Sequence, residues 1–119
     1  MISFIDGPAE GVRLSLQRMV FFLRVVRDAN GKWDALDQPD DTPAAGETIY
    51  VYRHDKTTGS AFVDGRDPKT GKRWGRVENV ATYRLHTVQP DDAAMRDNAA
   101  WSKWCWEQPE AERYRETKT

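Results

Sequence analysis

The fold of this chain is decided by one run of residues, Met19-Val20-Phe21-Phe22-Leu23-Arg24-Val25-Val26. Seven of its eight residues are apolar, and β-branched and aromatic side chains dominate it. A run of this length and composition predicts a strand that is buried on most of its surface, because a helix needs a longer stretch. The segment Asp28-Ala29-Asn30-Gly31 follows closely, and its Asn-Gly pair predicts a hairpin turn.

The segments around this run also have the patterns of strands. Residues 2–5 are a short apolar segment closed by a turn, and residues 12–18 alternate with Val12, Leu14 and Leu16 on one face. Residues 33–36 predict a return strand. Residues 48–53 form the clearest strand of the sequence, with Tyr50 and Tyr52 on the face opposite Ile49 and Val51.

The sequence after this strand alternates between turn signals and strand signals. Residues 55–59 predict a turn, residues 60–63 a brief strand and residues 64–71 a mobile hairpin or loop, because Gly, Asp and Pro recur there. Residues 77–88 return to a strand pattern. The apolar or aromatic residues on both faces of residues 48–53 predict either a central strand or a strand with an outward face, carrying Tyr50 and Tyr52, that meets a partner.

A change of pattern at Pro90-Asp91-Asp92 predicts the start of a C-terminal helix over about residues 91–108, capped by Asp91. Trp101 and Cys105 share a stripe that should pack on the sheet. Trp106 lies about 200° around the helix from Trp104 and is therefore expected to point away from this stripe. It is then either exposed as an anchor for a partner or covered by the chain that follows Pro109. Residues 116–119 should fray.

These elements together predict one α+β domain spanning residues 1–119. Two architectures satisfy the order of elements: a small twisted antiparallel sheet, or an SH3-like partly open barrel. Either would contain five to seven strands, at about residues 2–88, and one C-terminal helix.

Composition narrows the function classes. The chain has 119 residues and a formal net charge of −1, which predicts no general attraction to nucleic acid or anionic membrane. Its polar start and the lack of an apolar run of ~20 residues predict a cytoplasmic protein with no signal peptide or membrane span. The single Cys105 excludes an intramolecular disulfide and a cysteine-based zinc site.

Motifs for catalysis and cofactor binding are missing from the sequence. It contains no Gly-x-Ser-x-Gly elbow, P-loop, dinucleotide fingerprint or His-Glu-x-x-His. His54 and His86 are the only histidines, and Cys105 is expected to be a small buried apolar residue rather than a nucleophile. We therefore expect a protein that is not an enzyme and holds no cofactor or metal.

One stretch has the composition of a nucleic-acid-binding hairpin. Residues 66–76 hold five basic residues against one acid, with a tryptophan among them. Basic side chains beside an aromatic ring can contact phosphates and stack a base. A solvated loop is the simpler interpretation in a chain of net charge −1. The candidate residues are Arg66, Lys69, Lys72, Arg73, Trp74 and Arg76.

A second set of residues has the character of a protein-binding surface. Residues 34–47 carry five acids and no base, and such a loop could steer a basic partner, although a plain solvated loop is the simpler interpretation. Exposed aromatic side chains are common anchors in protein interfaces. The candidate residues are Asp37, Asp40 and Asp41 in the acidic loop, with Tyr50, Tyr52 and Trp106 as anchors.

Four segments carry a resemblance to a group of proteins: 4–11 (FIDGPAEG), 23–26 (LRVV), 33–37 (WDALD) and 47–53 (ETIYVYR). Together they resemble small accessory proteins of actinobacterial phages and prophages. The resemblance is one of texture and segment order, and it transfers no catalytic residue. It implies a viral, non-structural origin and expression in a bacterial cytoplasm.

Three functions are compatible with these features. The first is a non-enzymatic phage-type accessory protein that binds a host or phage protein, with inhibition as one form of that role. The alternatives are a nucleic-acid-binding module that uses residues 66–76 and a minor component of the virion. The sequence leaves open whether the chain is a monomer or a homodimer.

Overall fold

A computed structural model describes residues 1–16, 18–38 and 40–109. The predicted frayed tail, residues 116–119, lies outside the described residues. Strands and helices follow one another in the order β1 (Ile2–Phe4), β2 (Arg13–Leu14), β3 (Phe22–Arg27), β4 (Trp33–Leu36), β5 (Thr48–Arg66), β6 (Arg73–Leu85), α1 (Asp92–Arg96) and α2 (Asn98–Glu107).

The described strands form one six-stranded sheet in the order β2-β1-β6-β5-β3-β4. The predicted number of strands is therefore confirmed. The prediction of a wholly antiparallel sheet is wrong, because β1 lies parallel to β6 with Ile2 opposite Ala81. No hairpin joins these two strands, so no turn requires them to be antiparallel, and Ile2 and Phe4 of β1 are buried in the core in the parallel arrangement.

The predicted central strand is β3, which begins at Phe22 rather than at Met19. Every residue of β3 except the last is buried. The predicted Asn-Gly turn is confirmed between β3 and β4, where the Asp28 carboxylate accepts hydrogen bonds from the N–H groups of Asn30 and Lys32. Gly31 has a φ of 82°, which is a conformation that glycine adopts without steric cost.

The sheet curls into a nearly closed, partly open barrel. Leu14 from one edge strand and Trp33 and Ala35 from the other pack against the same core as Leu23 and Val25. Both edges of the sheet therefore enclose one interior, which confirms the predicted partly open barrel. Its likeness to an SH3 barrel stays a prediction.

One contact joins the two edges of the barrel. The Arg18 N–H donates to the Asp37 carboxylate at 3.1 Å, and the Arg18 guanidinium donates to the Asp37 carbonyl oxygen at 2.9 Å. Asp37 is only 8% exposed. It lies at the seam of the barrel, so the prediction that it belongs to an exposed acidic loop is wrong.

The predicted pairing of Tyr50 with Tyr52 on one face of β5 is correct, but this face is the interior of the barrel. Tyr52 is 0% exposed. Its hydroxyl accepts from the Ala9 N–H and donates to the Asp6 carbonyl oxygen, both at 2.9 Å. The prediction that Tyr52 is a surface anchor is therefore wrong.

The C-terminal segment forms two helices where one was predicted. The Asp91 carboxylate caps α1 by accepting from the Ala94 N–H at 2.8 Å, as predicted. The Asp97 carboxylate then accepts from the Ala100 N–H at 3.0 Å and begins α2. A short polar side chain competes in this way with the backbone bonds of a continuous helix, which explains the break.

The helix α2 covers the outer face of the barrel. Trp101, Trp104 and Cys105 pack against Phe22 of β3 and Val51 of β5. This confirms the prediction that the stripe containing Trp101 and Cys105 faces the sheet. The central strands are thus buried on both sides, one by the barrel interior and the other by the helix.

Candidate functional site

The strands β5 and β6 continue beyond the barrel as a two-stranded hairpin arm, residues 59–79. Among the described strands, β5 pairs with β3 only as far as Arg53, and β6 pairs with β1 only from Ala81 onward. The predicted turn at residues 55–59 is wrong, because the ladder passes through it with two register shifts. Bulges use the same Asp, Thr and Gly residues as turns do.

The tip of the arm is a tight turn. The Asp67 N–H donates to the Lys72 carbonyl oxygen and the Gly71 N–H donates to the Asp67 carbonyl oxygen, both at 2.8 Å. Gly71 adopts a φ of 70°. The predicted hairpin is therefore present, but its strands reach Arg66 on one side and Arg73 on the other.

The outward face of the arm carries an apolar pair. Phe62 lies opposite Val77 in the ladder, and each side chain is 70% exposed. The Phe62 ring lies across Gly75, where a Cβ atom would collide with the ring. Asp64 and Arg73 form an ion pair at 3.9 Å next to this pair on the same face. Two adjacent exposed apolar side chains on a projecting element mark a surface suited to binding.

The opposite face of the arm is built around Trp74. Its ring lies against Gly65, the directly paired residue, and a Cβ atom on that glycine would collide with it. The Arg76 guanidinium lies over the Trp74 ring at 5.6 Å and forms an ion pair with Glu78. Glu78 is buried where the arm meets the barrel. The contacts of Arg76 and Glu78 on this face therefore help to hold the arm in place.

The structure brings the six predicted nucleic-acid-binding residues together near the end of the arm. Residues 66–76 carry a net charge of +4, so the remainder of the chain carries −5. Arg73 and Arg76 each pair with an acid of the arm itself, Asp64 and Glu78. The tip is therefore basic, although two of its five cations have intramolecular partners. The six are Arg66, Lys69, Lys72, Arg73, Trp74 and Arg76.

The predicted protein-binding residues do not form one surface. Tyr50 packs on the barrel core, and Asp37 lies at the seam. The Asp41 carboxylate accepts a hydrogen bond within its own loop. Asp40 is exposed in that loop. Trp106 lies on α2 and is 47% exposed.

A cleft of about 680 Å³ lies between α2 and the segment that leads into β3. Its walls are mostly apolar and include Phe21, Trp101 and Trp106. Arg18 and Arg24 also line it, and the described lining residues include no aspartate or glutamate. The cleft therefore combines aromatic walls with positive charge.

Arg24 forms the floor of this cleft and is 2% exposed. Its guanidinium donates to the carbonyl oxygens of Met95 and Asp41 at 2.8 and 3.1 Å, and to the Asn98 side-chain oxygen at 3.0 Å. It also lies over the Trp101 ring at 5.0 Å. Burial lowers the pKa of Arg24, and all three of its hydrogen-bond acceptors are neutral. A buried cation held this way is unusual, since buried charges normally have a charged partner.

Cys105 lines the same cleft as a half-buried thiol. Burial raises the pKa of this thiol to about 12, and the nearby Arg24 cation opposes the shift only in part. The thiolate is the reactive form of cysteine. The thiol is thus protonated at neutral pH.

Alkylation of Cys105 is expected to be slow in the folded protein. At pH 8 a thiol of pKa ~12 is ionised about a thousand times less than an ordinary cysteine. We expect iodoacetamide to react at least ~10 times more slowly with the native chain than with the chain in urea, measured by intact mass. Equal rates in the two states would contradict this assignment of the thiol.

The sequence contained a signal for the buried arginine of the cleft but none for the exposed apolar pair of the arm. Arg24 is the one charged residue in the run 19–26, and a lone arginine in a buried strand signals a dedicated set of acceptors. The exposure of Phe62 and Val77 had no local signal in the sequence, because it depends on where the neighbouring strands β1 and β3 end.

The comparisons with known proteins assign neither a family nor a function to this chain. No family model, curated protein or solved structure matches the chain. The resemblance to phage accessory proteins therefore stays a prediction. Within the part of the chain that the structure describes, no helix is long and apolar enough to cross a membrane, and no cluster of three or more metal-binding side chains is found.

Proposed function

We propose that this protein is a non-enzymatic binding protein that recognises a partner protein through its hairpin arm. The observation that carries the proposal is the exposure of Phe62 and Val77 beside each other on the outward face of the arm. Exposed apolar pairs of this kind fill pockets at the centres of protein interfaces. A phage accessory role, as the resemblance implies, is compatible with such a protein.

The charge of the arm indicates the chemistry of the partner. The tip is basic, with a net charge of +4 over residues 66–76, whereas the rest of the chain is acidic. A partner surface with an apolar pocket bordered by carboxylates is complementary to this arrangement. Charges at the rim of an interface act mainly on the association rate, so Lys69 and Lys72 should steer the encounter while Phe62 and Val77 hold the complex.

A nucleic-acid-binding module is the second candidate, and the basic tip favours it. The six candidate residues lie together there, and Trp74 could stack a base. The pairing of Arg73 and Arg76 with acids of the arm weakens this candidate, because each compensated cation releases fewer counterions from a phosphate backbone. The nucleic-acid candidate would use both faces of the tip, because Arg73 lies on the face of Phe62 and Val77, whereas Trp74 and Arg76 lie on the other face. If the chain is instead a minor component of the virion, it should be found in purified particles.

The experiment compares the full chain with two double variants and one matched control. Phe62→Ser with Val77→Ser removes the apolar pair, and Lys69→Ser with Lys72→Ser removes two tip cations. Val88→Ser changes an apolar residue that is also exposed but lies outside the arm. All of these side chains are exposed, so each change should alter the free energy of unfolding by about 0.5 kcal/mol or less.

Each tagged chain is used to capture partners from an actinobacterial lysate, once with and once without nuclease treatment, and the affinity for the protein captured after nuclease treatment is then measured. We expect Phe62→Ser with Val77→Ser to weaken binding by about 30-fold, or ~2 kcal/mol, as for the loss of an interface anchor. Val88→Ser should bind like the parent. Equal binding by all chains would refute the proposal. Capture of nuclease-sensitive material that is lost only in the Lys69 and Lys72 variant would support the nucleic-acid candidate.

A further inference from the structure

We propose that the cleft between α2 and the segment leading into β3 is a binding site for a small amphipathic carboxylate, a ligand with one carboxylate on an apolar body. This site lies outside the hairpin arm and does not depend on the proposed role of the arm. Its volume of about 680 Å³ is within the range of small-molecule sites, roughly 300–1,000 Å³.

The charge of the cleft selects an anion. The described lining residues include the two cations Arg18 and Arg24 and no carboxylate. Within the part of the chain that the structure describes, Arg24 makes no ion pair at 4.0 Å or less, and the Asp41 carboxylate acts on it only from a longer distance. His54 also lines the cleft, but burial lowers its pKa and keeps the ring neutral at pH 7. The positive charge of Arg24 therefore lies at the floor of the cleft, and that of Arg18, which is hydrogen-bonded to Asp37, lies at its rim.

The hydrogen bonds of Arg24 leave donor capacity unused. A guanidinium has five N–H groups, and three hydrogen bonds to neutral acceptors account for three of them. The Nε atom is buried and has no acceptor within the described residues. A buried donor without an acceptor is destabilising. A bound carboxylate would supply both the missing acceptor and the missing negative charge, with a small movement of the surrounding side chains.

The walls of the cleft require the rest of the ligand to be apolar. Phe21, Trp101 and Trp106 line it, and aromatic walls stabilise apolar groups by burial and ring contact. Polar side chains such as Gln38, Thr57 and Asn79 also line the cleft, but apolar surface forms the larger part of its lining. One anionic head on a short hydrocarbon or aromatic body matches the floor and the walls together.

The test compares three probes that share one alkyl chain. Decanoate, decanol and decyltrimethylammonium are titrated into the full chain at pH 7.5, and binding is followed by intrinsic tryptophan fluorescence, to which Trp101 and Trp106 in the cleft contribute. We expect decanoate to bind at least ~10-fold more tightly than decanol, because a charge-assisted hydrogen bond is stronger than a neutral one. The cationic probe should bind more weakly than either.

Two variants locate the site. Ser102→Phe places a ring in the cleft from an exposed position on α2 and should weaken decanoate binding at least ~10-fold. Phe62→Ser with Val77→Ser should leave decanoate binding unchanged. Arg24→Met, measured under conditions in which it is folded, should remove the preference for decanoate over decanol. Equal affinity for decanoate and decanol in the parent chain, no binding of decanoate, or full binding by Ser102→Phe would each overturn the proposal.

Discussion

Replacement of Tyr52 by alanine is expected to lower the free energy of unfolding by about 4 kcal/mol, which is the usual cost of removing a fully buried aromatic side chain. The ring lies in the barrel core, with its centroid 4.7 Å from that of Phe4. The Tyr52 side chain also holds the segment between β1 and β2 in place, because its hydroxyl forms hydrogen bonds with the backbone of Asp6 and Ala9. Loss of the side chain removes both contributions.

Tyr52→Phe separates these two contributions. The ring remains, but the buried Ala9 N–H loses its acceptor, and we expect a loss of about 1–3 kcal/mol. Burial raises the pKa of Tyr52, so the hydroxyl keeps its proton and donates to Asp6. Tyr50→Phe is the matched control and should change stability by about 0.5 kcal/mol or less. Urea denaturation measures all three variants, and a Tyr52→Phe chain as stable as the parent would contradict this role of the hydroxyl.

Tyr52 also illustrates what the pattern of a strand can predict. Alternation correctly placed Tyr50 and Tyr52 on one face of β5 and Ile49 and Val51 on the other. It could not identify the interior face, because both faces are covered, one by the barrel core and the other by α2. In a strand with two buried faces, the sequence sets the register and the tertiary structure decides which residues are accessible.

The hairpin arm shows a second limit of prediction from the sequence. Residues 55–59 were predicted to be a turn because Asp, Thr and Gly favour turns, but the same residues fit the two register shifts of the β5–β6 ladder. The six basic and aromatic candidates at the tip were found by composition. Phe62 and Val77 were missed, since their exposure follows from the long-range fact that β1 and β3 end before they reach the arm.

Replacement of Arg24 by methionine is expected to destabilise the protein by about 3 kcal/mol. Three hydrogen bonds from its guanidinium connect β3 to the last residues of α1, to the first turn of α2 and to the acidic loop. Methionine fills a similar volume but leaves the carbonyl oxygens of Met95 and Asp41 without this donor, and an unsatisfied buried acceptor costs about 1–3 kcal/mol. The acceptors are neutral, so the loss should depend little on salt.

Arg27→Met is the matched control, because Arg27 lies on the same strand but is exposed, with its guanidinium 5.7 Å from the centre of the Trp33 ring. Its loss should cost about 1 kcal/mol or less. Denaturant titration followed by tryptophan fluorescence measures both variants, and three of the five tryptophans that contribute to the signal lie in α2. Equal stability of the two variants would show that the buried cation does not hold the outer layer. A more stable Arg24→Met chain would show that desolvation of the guanidinium outweighs its three bonds, and retention of this arginine would then have to be explained by the cleft above it.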